Sequence, residues 1–162
     1  TDEYSQKIIA ASKAHHVPVI VDPKGTNWMK YAGADYITPN LKEINAVLPD
    51  PIRNEDAPVA QAAHDVMKRF HLGSIIVTRS EAGRSLICEG EIKHIPTKAQ
   101  EVFDVSGAGD TVIAVFAMGI AGGIAPADSC CLANLAAGVV VAKLGTYAVS
   151  REELLKALEK EK

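Results

Sequence analysis

A run of small residues, Ser106-Gly107-Ala108-Gly109, ends in the acidic Asp110, and an apolar segment follows directly. Small side chains let a ligand approach the main chain, and the first N–H groups of a helix form an anion site that the helix dipole strengthens. The Asp110 carboxylate would lie beside that anion. Like charges repel, so a carboxylate at this place does not suit simple anion binding. It suits a base that takes the proton from a hydroxyl group while that hydroxyl attacks a phosphate. The alternative is a glycine turn in which Asp110 caps an ordinary helix.

Three further polar segments, residues 22–25, 39–43 and 78–83, follow short apolar runs. Such runs are typical of buried parallel strands. In open α/β sheets, ligands bind beyond the carboxyl ends of the strands. These segments are therefore candidate binding loops.

The elements that must position these residues alternate between strands and helices. We predict strands over 19–21, 36–38, 74–78, 84–88 and 91–95, and helices over 2–14, 41–48, 59–71, 110–121, 127–143 and 151–161. This alternation predicts an α/β fold with a mainly parallel sheet and one antiparallel hairpin. The helices over 110–121 and 127–143 are apolar on nearly all sides, which predicts that both are buried.

Composition limits the class of protein. The chain has 162 residues, 48% hydrophobic and 23% charged, with a net charge of −3, which predicts a single globular domain over 1–162. The charge disfavours a nucleic-acid partner. The longest uncharged stretch, 17 residues between Asp110 and Asp128, contains Gly-Gly and Pro, so no membrane span is expected. The three cysteines, two of them adjacent, indicate neither a disulfide framework nor a zinc site and favour the reducing cytoplasm.

Other phosphate-binding and hydrolytic motifs are missing from the sequence. The pair Gly107 and Gly109 lacks the third glycine of the dinucleotide fingerprint because residue 112 is Val. Neither a GxxxxGK[ST] loop nor a GxSxG elbow occurs.

In order and spacing, the candidate segments resemble the ribokinase-like (PfkB) carbohydrate kinases. Residues 104–110 resemble the family's second signature, and residues 40–43 resemble its N-x-x-E motif. Residues 78–83 resemble its T-x-G-x-x-G nucleotide loop, with Ser80 where many members have Gly, and residues 133–138 resemble a late helix beside the nucleotide. More narrowly, five stretches are similar to the kinase domains of bacterial heptose-7-phosphate kinase/ADP-heptose synthase enzymes: 21–25, 38–41, 78–81, 102–112 and 137–146.

The resemblance implies a role for each matching residue. Asp110 would be the catalytic base, and the N–H groups of Gly107, Ala108 and Gly109 would form the anion hole. Asn40 and Glu43 would organise Mg²⁺ near the nucleotide, and Lys24 is a candidate phosphate contact. The implied nucleotide contacts are Asn40, Leu41, Lys42, Glu43, Thr78, Arg79, Ser80, Glu81, Gly83 and Asn134.

The resemblance also implies a function. We expect an ATP- and Mg²⁺-dependent sugar kinase of the three-layer α/β/α ribokinase-like fold. The preferred acceptor would be heptose 7-phosphate, converted to heptose 1,7-bisphosphate in ADP-heptose and lipopolysaccharide core synthesis. The sequence matches only the C-terminal, nucleotide-binding part of the family pattern and has no recognisable N-terminal half or lid. Self-association or pairing with such a half is therefore expected.

Two other functions stay open: a catalytically silent nucleotide-binding module that needs a partner chain, and a PfkB kinase acting on another sugar. Several residues also have plainer interpretations when taken singly. Asn40 and Glu43 would cap a helix, and Arg79 and Glu81 would form a solvated loop pair. Asn134 would be a core amide.

Overall fold

The computed structural model describes residues 2–97 and 104–160. Val102 and Phe103 of the family-like stretch, and the last residue of the helix predicted over 151–161, lie outside the described residues. The chain divides into two compact units, Thr1–His94 and Ile95–Lys162. The expectation of one domain over 1–162 stays a prediction.

One five-stranded sheet organises the first unit, in the order β1-β2-β3-β4-β5. Its strands are β1 (Ile20–Val21), β2 (Tyr36–Ile37), β3 (Ser74–Thr78), β4 (Arg84–Cys88) and β5 (Glu91–Ile95). β1, β2 and β3 run parallel, and β4 pairs antiparallel with β3, with Ile75 opposite Ile87. The predicted strands 74–78, 84–88 and 91–95 are confirmed to the residue, whereas β1 and β2 are shorter than predicted.

The helices of the first unit are α1 (Asp2–Ala14), α2 (Leu41–Val47) and α3 (Asp56–Phe70). α3 begins three residues before the predicted start at residue 59, so Pro58 lies inside its first turn. A proline is tolerated there because the first N–H groups of a helix have no intrahelical acceptor. α3 has seven buried residues, and six of them belong to the hydrophobic core of this unit. Trp28, on a 3₁₀ turn that the sequence pattern did not indicate, is fully buried and packs 5.9 Å from the Phe70 ring.

The second unit contains α4 (Ala108–Ala121), α5 (Pro126–Val141) and α6 (Arg151–Glu159). The prediction that both apolar helices are buried is wrong for one side of α4. Its buried residues include Val112 and Phe116, but the Met118 side chain is 63% exposed. α4 and α5 pack closely where Gly119 faces Ser129, since a Cβ on Gly119 would stand 2.8 Å from the Ser129 Cβ.

Across the described stretches 2–97 and 104–160, none of the helices combines the length and the apolar character needed to cross a bilayer.

Candidate active site

The loops that follow the parallel strands of the first unit lie side by side. Asn40 forms an isolated parallel bridge with Thr78, and the Thr78 N–H donates to the Pro39 carbonyl at 2.9 Å. The structure therefore brings together two of the segments predicted to bind nucleotide. Both lie at the carboxyl ends of strands, where ligands of open α/β sheets bind.

Asn40 and Glu43 form a complete capping box at the start of α2. The Glu43 N–H donates to Asn40 Oδ1 at 2.9 Å, and the Asn40 N–H donates to Glu43 Oε2 at 2.8 Å. The interpretation of Asn40 and Glu43 as a helix cap is thus confirmed. The capping box also fixes the Glu43 carboxylate beside the loops that follow the strands. Its Oε2 is used by the cap, and its Oε1 faces Lys24.

The Lys24 ammonium lies between two carboxylates. Lys24 Nζ is 2.8 Å from Asp22 Oδ2 and 3.5 Å from Glu43 Oε1, and the lysine side chain is 69% exposed. Its hydrogen bond to Asp22 raises the pKa of Lys24 above its ordinary value, despite partial desolvation. Asp22 received no role from sequence reasoning; its position directly after β1 was the available signal.

The donors of this cluster are suited to magnesium. Asp22 and Glu43 already share one cation, and carboxylate oxygens are ligands that Mg²⁺ prefers. In the described parts of the chain, no three His, Cys, Asp or Glu side chains converge as a metal-binding group. A pair of carboxylates is still adequate because protein-bound Mg²⁺ usually keeps several waters.

The loop after β3 is held in a strained conformation. Ser80 has a φ of 53°, in the left-handed region that glycine favours, and Gly83 has a φ of 80°. The Arg79 N–H donates to the Gly83 carbonyl at 2.9 Å, which closes the loop. The strain at Ser80 gives a physical reason for the glycine of the T-x-G-x-x-G pattern. Ser80 and Glu81 are both exposed, so the loop is open to a ligand.

Arg79 differs from its plainer interpretation as half of a solvated pair with Glu81. It is only 3% exposed, and its guanidinium bonds Asn54, Asp56 and Ser85. Because this side chain is turned into the protein, a nucleotide can reach the loop only through its main chain or its other side chains. Nearby on α2, Leu41 packs against the core and Lys42 is exposed.

The second unit contains the glycine-rich helix start. Gly107 caps α4 with φ 77° and ψ 0°, as expected of the third residue in a type II turn, and the Ala108 N–H closes that turn on the Val105 carbonyl at 3.2 Å. Among residues 2–97 and 104–160, the N–H groups of Gly107, Gly109 and Asp110 have no hydrogen-bond acceptor. The Ala108 N–H, one of the three predicted for the anion hole, is thus engaged within the turn.

Asp104 organises this helix start, a role that sequence reasoning missed. Its Oδ1 accepts from the Ser106 N–H at 2.8 Å and its Oδ2 from the Gly145 N–H at 3.2 Å. These bonds, chiefly those from Ser106, hold the pKa of Asp104 below its ordinary value. The carboxylate therefore ties the glycine turn to the loop that follows α5. Its spacing, two residues before a serine at a turn, was the available signal.

The predicted base and the late-helix asparagine lie in different surroundings within the second unit. Asp110, in the first turn of α4, is exposed, and in the described part of the chain its carboxylate has no salt bridge or hydrogen bond. Asn134 is 3% exposed and donates to the Pro96 carbonyl at 2.9 Å. The core-amide interpretation of Asn134 is thus what the structure contains.

The fold and these loops define the class of protein. Arabidopsis thaliana ribokinase, solved in complex with ribose and ATP, matches 98% of this chain with a TM-score of 0.87 and 24% identity, over 53% of its own chain. Ribokinase from Thermotoga maritima matches 94% of this chain with a TM-score of 0.81 and 28% identity, over 52% of its own chain. The ribokinase-like α/β fold class is thereby confirmed. Residues 1–153 match the pfkB family carbohydrate kinases, and the chain belongs to that family.

Curated relatives are more similar in sequence. The bifunctional protein HldE of Trichlorobacter lovleyi is 48% identical over 155 residues, covering 95% of this chain and 31% of the relative. The bifunctional protein HldE of Aeromonas hydrophila is 48% identical over 152 residues, covering 93% of this chain and 32% of the relative. This chain therefore spans about a third of the length of the curated relatives it matches.

Proposed function

We propose that this chain is the nucleotide-binding and catalytic part of an ATP-dependent sugar kinase. The observation that carries the proposal is the start of α4, where an exposed carboxylate adjoins main-chain N–H groups. Asp110 follows Gly109 directly, and both of their N–H groups are available to an anion. Phosphoryl transfer needs mainly positioning and charge neutralisation, which such a helix start can supply.

In the proposed reaction, Asp110 takes the proton of the acceptor hydroxyl. The hydroxyl oxygen forms a bond to the γ-phosphorus of ATP, and the bond from that phosphorus to the β,γ-bridging oxygen breaks, releasing ADP. The N–H groups of Gly107 and Gly109 neutralise the transferring phosphate. Because the Ala108 N–H already bonds Val105, the Asp110 N–H replaces it in the proposed anion hole.

The strand-end loops of the first unit are assigned to the nucleotide. Thr78 to Gly83 would contact it through the main chain and the exposed Ser80 and Glu81, while Asn40 orients Glu43. Asp22 and Glu43 would hold Mg²⁺, which neutralises the nucleotide phosphates when bound. Lys24 would then be released from its two carboxylates and contact a phosphate. We assign Asn134 a supporting role in the core, because it is buried.

Heptose 7-phosphate is the proposed acceptor, phosphorylated at its anomeric hydroxyl for ADP-heptose synthesis in the cytoplasm. The support is the set of heptose-kinase-like stretches, together with 48% identity to curated HldE proteins. The competing candidate is a nucleotide-binding module that is silent without a partner. Its support is coverage, since this chain matches about half of each ribokinase chain. We accordingly propose that the acceptor site is completed by the rest of the fold or by a second chain.

The test is transfer of phosphate from ATP with Mg²⁺ to heptose 7-phosphate, fructose 6-phosphate or ribose, followed by ADP release and ³¹P NMR. With the completing part of the fold or the second chain present, we expect ADP release that depends on heptose 7-phosphate and a new anomeric phosphate signal. Transfer to another sugar only would contradict the acceptor assignment. ATP binding in calorimetry without transfer to any sugar would instead favour the silent module.

A further inference from the structure

The Arg79 guanidinium lies at the centre of a polar network beneath the β3–β4 loop. Its Nε donates to Asn54 Oδ1 at 2.9 Å, and one terminal nitrogen donates to Asp56 Oδ1 at 2.5 Å and to Ser85 Oγ at 2.9 Å. Asn54 in turn donates from Nδ2 to the Arg79 carbonyl at 3.1 Å. Asn54 thus binds both the side chain and the main chain of Arg79.

These partners come from separate parts of the first unit. Asn54 and Asp56 lie at the start of α3, and Ser85 lies on β4 with its hydroxyl 2.8 Å from His94 Nδ1 of β5. The hydrogen bond from Arg79 keeps the pKa of Asp56 below its ordinary value, which favours the charged carboxylate as the partner of the guanidinium. A buried guanidinium is costly unless its donors are paired, and here the pairing requires α3, β4 and the loop to keep one arrangement.

The loop directly above this network is the one assigned to the nucleotide. Arg79 closes it at both ends, because its N–H donates to the Gly83 carbonyl at 2.9 Å and its carbonyl accepts from the Ala82 N–H at 3.1 Å. Between those bonds, Ser80 is held at a φ of 53°. A strained residue keeps such a conformation only when its surroundings impose it. Arg79 directly precedes Ser80, and both its side chain and its main chain are hydrogen-bonded to neighbouring residues. Arg79 is therefore the residue that can impose this conformation on Ser80.

We propose that Arg79 is a positioning residue for nucleotide binding. Its buried side chain fixes the main chain of residues 80–83 in the conformation that receives the nucleotide, without touching the nucleotide itself. This inference rests on the proposed function, since it takes residues 78–83 as the nucleotide loop. Lysine cannot replace arginine here, because a single ammonium cannot reproduce the planar fork that reaches Asn54, Asp56 and Ser85 together.

The test compares Arg79→Lys with the matched control Arg69→Lys. Arg69 is an exposed residue of α3 that donates to the Val47 carbonyl at 2.7 Å and packs 4.9 Å from the centre of the Phe70 ring, so it is a hydrogen-bonded arginine outside the nucleotide loop. Calorimetry with Mg·ATP on the whole chain gives the dissociation constant, at a temperature where circular dichroism shows every variant folded. Hydrogen exchange reports the loop amides of Ala82 and Gly83.

We expect Arg79→Lys to weaken ATP binding about tenfold to a hundredfold, which is a loss of about 1.4–2.8 kcal/mol of binding free energy at about 1.4 kcal/mol per tenfold. Exchange at Ala82 and Gly83 should accelerate without global unfolding. Arg69→Lys should lower the melting temperature and leave the dissociation constant unchanged. Asp56→Asn, which removes one charge from the network at a carboxylate that is 61% exposed, should weaken binding by a smaller factor.

Unchanged ATP affinity in both Arg79→Lys and Asp56→Asn would overturn the inference. If Arg79→Lys does not fold, Asp56→Asn decides the question in the same assay. If the wild-type chain itself does not bind ATP, the proposed function fails. Hydrogen exchange at Ala82 and Gly83 then still decides whether Arg79 holds the loop, and unchanged exchange in the variants would refute that.

Discussion

Replacing the two glycines before Asp110, one at a time, separates the folding role of the α4 start from its proposed catalytic role. Gly107 has a φ of 77°, whereas Gly109 lies in the first turn of the helix. A Cβ at Gly107 would stand 3.5 Å from Thr146 Cγ2, an ordinary contact, so the cost of Gly107→Ala is backbone strain. For a non-glycine residue in the left-handed region that strain is about 1–2 kcal/mol.

Gly109→Ala should behave in the opposite way. A Cβ there finds no atom within 4 Å and needs no unusual φ. Alanine favours helix over glycine by up to about 1 kcal/mol, so stability should be kept or slightly raised. The methyl group would, however, occupy the open space beside the N–H groups of the proposed anion hole. Loss of one such donor costs about 10²–10³-fold in rate, and we expect a fall of that order.

The assays are urea unfolding of both variants and ATP-dependent phosphate transfer at saturating Mg²⁺. Gly107→Ala should unfold at lower urea, with a free energy of unfolding reduced by about 1–2 kcal/mol. Gly109→Ala should unfold like the wild type and transfer phosphate slowly. A fully active Gly109→Ala variant would refute the placement of the phosphate at this helix start. A Gly107→Ala variant as stable as the wild type would refute the strain argument.

Three further predictions concern local contacts. Hydrogen bonds from Ser150 and Tyr147 lower the pKa of Glu153 from 4.5 to about 2, so its contribution to stability is present above pH 4.5 and is lost as the pH falls toward 2. Glu153→Gln should flatten this acid dependence in urea titrations. Ser80→Gly should raise the melting temperature slightly, because relief of about 1–2 kcal/mol of strain exceeds the about 0.5–1 kcal/mol entropy cost of glycine. Asn40→Ala and Ser150→Ala each remove a capping box and should each cost about 1 kcal/mol, but only Asn40→Ala should also weaken Mg·ATP binding in calorimetry.

Local signals in the sequence predicted much of the fold. The capping pair Asn40 and Glu43, the start of the last helix at residue 151 and the hairpin between residues 84 and 95 depend on neighbouring residues, so spacing alone was sufficient. The sequence pattern places the start of α3 after Pro58, whereas the structure starts it at Asp56, because a first-turn proline loses no intrahelical bond. The exposed side of α4 was missed because an apolar helix does not reveal which of its faces the chain covers.

The candidate site was predictable as a set of loops and not as a set of contacts. Each strand-end loop was identified from its apolar run and its polar end. The ion pair between Lys24 and Glu43 was not predicted, because it joins two loops that only the sheet brings together. The burial of Arg79 was not predicted either, because its partner Asn54 is 25 positions away in sequence, beyond the reach of any local pattern.

The most direct test of the proposed function is the rate of phosphate transfer from ATP to heptose 7-phosphate in Asp110→Asn, beside Asp128→Asn. The two residues are matched, since each is the acidic residue in the first turn of an apolar helix. Asp110→Asn should lower the rate about 10²–10⁴-fold, the usual contribution of a general base, while ATP binding in calorimetry is retained. Asp128→Asn should transfer phosphate at the wild-type rate. Equal rates in the wild type and in Asp110→Asn would contradict the assignment of Asp110 as the base.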